Sequence, residues 1–143
     1  MTPVMLMLAL RDYLQQQLED GAATKPNVYL GAAPSKTEGN RDDELFPLII
    51  IRPVEGSSAG AENLVQVKLT FGTQSADDAG FVDCLNLMER VRTLLLRERI
   101  IERKYKIDED WKWKFLEDQP YPYWLCQAIT TWHLPQIRQE VRL

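Results

Sequence analysis

An apolar run from Val4 to Leu10 follows Thr2-Pro3 near the start of the chain. Thr2-Pro3 opens a helix here, with proline at a tolerated first-turn position. Val4, Met5 and Leu8, with Tyr13, Leu14 and Leu18, recur at helical spacing, and Gly21 closes the segment. Asn27–Leu30 reads as a short strand ending at Gly31, and Phe46–Arg52 as a second strand in which Leu48–Ile51 are apolar at every position. Pro53 and the Gly56–Gly60 stretch (GSSAG) read as a turn. Leu64–Gly72 alternates cleanly, with Val65, Val67, Leu69 and Phe71 inward and Gln66, Lys68 and Thr70 outward. The Gly56–Asn63 connection is short enough for a hairpin.

Ser75-x-x-Asp78 resembles a capping box and precedes the longest helix, about Gly80 to Arg99. Its expected buried stripe is Phe81, Cys84, Leu85, Met88, Val91 and Leu95. Tyr105–Ile107, Trp111–Leu116 and Tyr123–Leu134 are the remaining strand candidates. Pro135 ends the last of them, before a polar tail over 136–143. Residues 32–45 have no apolar period and form a long loop, of a length that is usually functional or disordered.

These elements predict a single α+β domain over residues 1–143: one mostly antiparallel sheet of four to five strands, with two main helices packed on one face. Two such helices cover only one face of the sheet. Its other face should then be polar, yet Leu48–Ile51 are apolar on both sides. In the last strand Trp124, Cys126, Ala128, Trp132 and Leu134 point one way, while Tyr123, Leu125 and Ile129 point the other. Left exposed together, such side chains form a patch that monomers rarely tolerate. Either a partner covers the second face, or Trp111, Trp113 and Phe115 fold back over it.

Composition narrows the classes. Hydrophobic residues make up 45% and charged residues 27%, which fits a folded globular domain. The apolar run Val4–Leu10 is far too short to span a membrane, and Met1–Leu10 lacks the basic region and cleavage site of a secretory signal. Seventeen basic against 21 acidic residues give a net charge of −4, which argues against a general phosphate-backbone binder. Cys84 and Cys126 read as buried free thiols.

Candidate chemistry fails at each motif. Gly56-Ser57-Ser58-Ala59-Gly60 matches G-x-S-x-G, and Ser58, then Asp108, Asp110 or Asp118, then His133 matches a hydrolase order. That motif needs a strand-to-helix turn, whereas a strand follows here. Leu30–Thr37 imitates a phosphate-binding loop but lacks the glycine before Lys36. One histidine and two distant cysteines supply no metal site, and Asp108-Glu109-Asp110 reads as a solvated acidic turn. The basic stretch Arg90–Lys106 reads mainly as a solvated helix face. No catalytic residue, cofactor site or metal site is expected.

Two stretches, DDAGFVDCLNLMERVRTLLL (Asp77–Leu96) and QPYPYWLCQAITTWHLPQI (Gln119–Ile137), resemble a family of tailed-phage and prophage tail-completion or tail-terminator proteins. The resemblance rests on the Asp-x-Gly-aromatic helix start at Asp78–Phe81, and on Pro122-Tyr123-Trp124 followed by Trp132-x-x-Pro135. It implies an α+β subunit that forms a homohexameric ring on the tail tube, ends tube polymerisation and presents a head–tail joining surface. The implied partners are further copies of the chain, the tube protein, and sheath and head-connector or neck proteins. DNA passes through without specific binding, and no membrane is involved. The implied location is the virion neck or a phage tail-like particle, after synthesis in the host bacterial cytoplasm. On physical grounds alone, and not from the resemblance, Tyr121, Tyr123, Trp124, Leu125 and Ile129 are the candidate assembly interface. Asp42, Asp43 and Glu44 are the candidate lumen-facing residues. A head-side stopper contacting the portal, a serine hydrolase using Ser58 and His133, and an adaptor binding a peptide along a sheet edge are the alternatives.

Overall fold

The computed structural model describes residues 2–18, 25–34 and 45–136. Helix α1 spans Pro3–Gln17, with the Thr2 hydroxyl accepting from the Met5 amide at 3.2 Å and proline in the first turn. Strand β1 is Asn27–Leu30, β2 Leu48–Ala59 and β3 Glu62–Gln74; helix α2 follows at Gly80–Glu98. Strands β4 (Ile100–Ile101), β5 (Tyr105–Ile107), β6 (Lys112–Phe115) and β7 (Tyr123–His133) complete the described elements.

All seven strands join one sheet, ordered β1-β2-β3-β7-β5-β4, with β6 also paired to β7. The β1–β2 pair is parallel and every other pair is antiparallel. The sheet is thus larger and more mixed than the four or five strands expected. β7 reaches eleven residues because it pairs with β3 along one whole edge. Its other edge is shared, β6 taking 126–129 and β5 taking 132–133.

Directly paired residues share a sheet face. One face therefore carries Val28, Ile49, Ile51, Val65, Val67, Leu69, Phe71, Cys126, Ala128, Thr130 and Trp132, all buried. Both helices pack on this face, contributing Leu6, Leu10 and Leu14 from α1 and Cys84, Leu87, Met88, Val91 and Leu95 from α2. Within this core the Trp132 indole donates to the Thr130 hydroxyl at 2.8 Å, which donates to the Val67 carbonyl at 2.9 Å.

Several local expectations change. In α1 the buried residues are Leu6, Ala9, Leu10 and Leu14, while Val4 and Met5 are exposed; an unbroken apolar run has no readable phase. Gly21 lies outside the described residues. Of the GSSAG stretch, Gly56–Ala59 is strand and Gly60 is turn. β2 continues through Ala59, absorbing Pro53 with a register shift between Pro53 and Glu55, and the chain reverses at Gly60 with φ +57°. No capping box forms before α2. Instead the Ser75 hydroxyl accepts from the Asp77 amide, and the Asp77 carboxylate accepts from Ala79. The α2 stripe takes Leu87 in place of Leu85, and Phe81 is 41% exposed.

Gly80 explains that phase. A Cβ placed there would sit 2.3 Å from the Trp124 indole nitrogen, so the helix start is pressed flat against β7. Phe81, the next residue, is turned outward and meets Phe115 edge-on at 6.3 Å.

Candidate functional site

The second sheet face carries no helix among the described residues. Its rows can be read across the strands. One runs Arg52–Lys68–Ile129–Lys112 over β2, β3, β7 and β6. A second runs Tyr29–Ile50–Thr70–Gln127–Lys114, and a third runs Ser57–Leu64–His133–Lys106–Ile100. Trp113 and Phe115 do not fold back over these rows. They pair with Ala128 and Cys126, which puts them on the helix side.

The face is less greasy than expected. Ile50, Leu64, Leu125 and Ile129 are half-buried, and Leu48 is only 3% exposed. The cover at this end is local. Gly72 makes room for Phe46, Leu48 and Leu125, whose atoms would lie 2.8–3.0 Å from a Cβ at that position. The Phe46 ring stacks on Tyr123 with centroids 4.7 Å apart. Elsewhere cations predominate among the charged positions: Arg52, Lys106, Lys112 and Lys114 are exposed and Lys68 half-buried, against exposed Glu55 and half-buried Asp108, with Ser57 and Ile100 also exposed.

The candidate interface residues divide among three places. Leu125 and Ile129 lie on the open face, and Tyr123 lies beneath Phe46. Trp124 is on the helix side, its indole donating to the Ser75 carbonyl at 3.0 Å, as a structural tie. Tyr121 is 63% exposed at the end of the molecule, its hydroxyl donating to the Ala76 carbonyl. Asp42, Asp43 and Glu44 lie outside the described residues. The large exposed apolar side chains are spread over several elements: Val4 and Met5 on α1, Val54 on β2, Phe81 and Val82 on α2, Ile100 on β4, Trp113 on β6, and Tyr121.

The rejected motifs separate cleanly. Ser58 pairs with Asn63, one position out of phase with the Ser57–Leu64–His133 row, so Ser58 and His133 stand on opposite faces. His133 Nε2 lies 3.9 Å from Asp108 Oδ1 on the solvent side. No group of three metal-ligating side chains occurs among the described residues, and no helix there is long and apolar enough to cross a membrane.

Cys84 and Cys126 are fully buried free thiols, as expected, and their sulfurs lie 3.3 Å apart. The hydrogen bond shared with Cys84, together with burial, pushes the Cys126 thiol far up from its ordinary range. A groove of about 540 Å³ opens beside α2, bounded by Phe46, Thr73, Asp83 and Arg90.

Lys68 reads as outward from the sequence, but its row does not. The alternation of β3 carries the outward direction. The register that sets Arg52, Ile129 and Lys112 beside it depends on long-range pairing. No protein-family model matches the chain, and no curated protein matches it.

Proposed function

We propose that the protein is a structural assembly subunit whose open sheet face is completed by other protein, and that it acts as a tail-terminator ring at the end of a phage or phage-like tail tube. The observation that carries this reading is the second face of a seven-stranded sheet, on which half-buried Ile50, Leu64 and Ile129 lie among cations with no second layer of helices among the described residues. A helix-covered sheet of this size ordinarily hides such residues. Packing them against a neighbouring subunit removes them from water, at roughly 1.5–3 kcal/mol for a large side chain fully buried. The resemblance in Asp77–Leu96 and Gln119–Ile137 supplies the kind of assembly. Exposed apolar residues on α1, α2, β2, β4 and β6 fit a subunit with neighbours on more than one side. A structural role also agrees with the separation of Ser58 from His133.

The test is co-sedimentation of the purified protein with polymerised tube protein and, separately, with portal or adaptor protein. Capture on tube ends with arrested tube growth supports the reading. Binding only to the portal side replaces it with a head-side stopper, and binding to neither refutes both.

A further inference from the structure

We infer that the basic rows of the open face are a socket for a second copy of this chain, which inserts its acidic end there in head-to-tail fashion. This rests on the ring-subunit reading above and specifies the contact that builds the ring.

The socket follows from the strand register. Arg52 is paired directly with Lys68, and Lys68 and Lys112 flank Ile129 across four adjacent strands. At about 4.8 Å per strand, that row is roughly 15 Å long. Like charges directly opposite each other on a sheet are unfavourable. No ion pair among the described residues involves Arg52, Lys68, Lys106, Lys112 or Lys114. A row of unneutralised cations around an apolar centre fits an anionic protein surface with its own apolar side chains. Nucleic acid is the poorer fit, because the chain as a whole carries −4.

The matching surface lies on the same chain. Asp77 and Asp78 precede α2, and Glu117 and Asp118 follow β6; all four are exposed. The two turns are held together. Tyr121 donates to the Ala76 carbonyl and Trp124 to the Ser75 carbonyl, each at 3.0 Å, and the Ser75 amide donates to the Pro122 carbonyl at 2.9 Å. The Gln119 side chain grips the Leu125 backbone from both sides. These ties join the turn that carries Asp77 and Asp78 to the segment that follows Glu117 and Asp118, and Tyr121 and Phe81 in the same two stretches are exposed. None of the four joins an ion pair among the described residues. Socket and acidic end are different patches of one molecule, so the contact is heterologous, and heterologous contacts close into rings when the rotation allows.

Charge reversal and charge swap test this on the full chain. The variants are Lys68→Glu with Lys112→Glu, Asp77→Lys with Glu117→Lys, and all four together, each scored by light scattering and by electron microscopy of rings alone and on tube ends. Each double reversal should weaken ring formation at least tenfold with the melting temperature within a few degrees of the parent. The fourfold swap should return it to within about threefold. Reversals that leave assembly unchanged, or a swap that fails to rescue, overturn the socket while leaving the ring reading intact. A parent protein that never assembles refutes that reading and the socket with it. Binding of a short DNA duplex that is lost in Lys68→Glu with Lys112→Glu, while rings persist, reassigns the face to nucleic acid.

Discussion

Replacing Gly80 with alanine is a sharp test of how α2 is seated. The added Cβ would lie 2.3 Å from Trp124 Nε1, 2.8 Å from Trp124 Cδ1 and 2.8 Å from Ser75 Cβ. All three are far inside ordinary contact, and two belong to an indole held by its hydrogen bond to the Ser75 carbonyl. Either the helix start lifts from β7, or the indole rotates and its bond breaks. Overpacking costs about 1–3 kcal/mol and a lost hydrogen bond about 0.5–1.5 kcal/mol. Against this, alanine restricts the unfolded chain and suits a helix better, a gain of about 0.4–1 kcal/mol. The steric terms win, for a net loss of about 1–3 kcal/mol. At roughly 2–4 °C per kcal/mol for a chain near this size, the melting temperature should fall by about 3–10 °C. Chemical denaturation read by tryptophan fluorescence gives the free energy directly. In a Trp124→Phe background most of the penalty should disappear, as a double-mutant cycle would show. A neutral or stabilising Gly80→Ala would mean that α2 does not press on Trp124.

Three further outcomes follow from the packing. Leu87→Ala should cost about 2–5 kcal/mol and Leu85→Ala clearly less, because Leu87 is 4% exposed and Leu85 is half-buried; equal losses in urea titrations would contradict the observed helix phase. Thr130→Val keeps the shape but orphans the fully buried Trp132 indole, so stability should drop by about 1–3 kcal/mol, and no drop would mean that the 2.8 Å bond is not formed. Cys84 and Cys126 should ignore an aromatic disulfide reagent in the native protein and both react after denaturation; rapid native labelling would contradict their burial.

Much of the architecture is legible in the residues. The alternation of Val65, Val67, Leu69 and Phe71 fixes one face of β3, and the two-residue period of a strand sorts Tyr123 to Trp132 of β7 correctly into two faces. The helix start at Gly80 is also readable. What stays hidden is non-local. The GSSAG stretch reads as a turn because glycine and serine favour turns, yet pairing with Glu62–Val65 carries Gly56–Ala59 as strand. Phe81 reads as core because helical spacing does not show that Trp124 occupies the place beside Gly80. Val4 and Met5 are indistinguishable from Leu6 and Leu10 until a sheet lies against one side. For the candidate site, local alternation shows that Leu125 and Ile129 face away from the helices. It cannot show that Phe46 shields one of them while Lys68 and Lys112 flank the other.

Whether this sheet face is finished by other subunits is most directly answered by cryo-electron microscopy of the protein bound to tail-tube ends. The account predicts closed rings in which Ile129 and its flanking lysines lie beneath a neighbouring copy. Single, well-separated molecules at high concentration, with that face open to solvent and tube ends left bare, would contradict it.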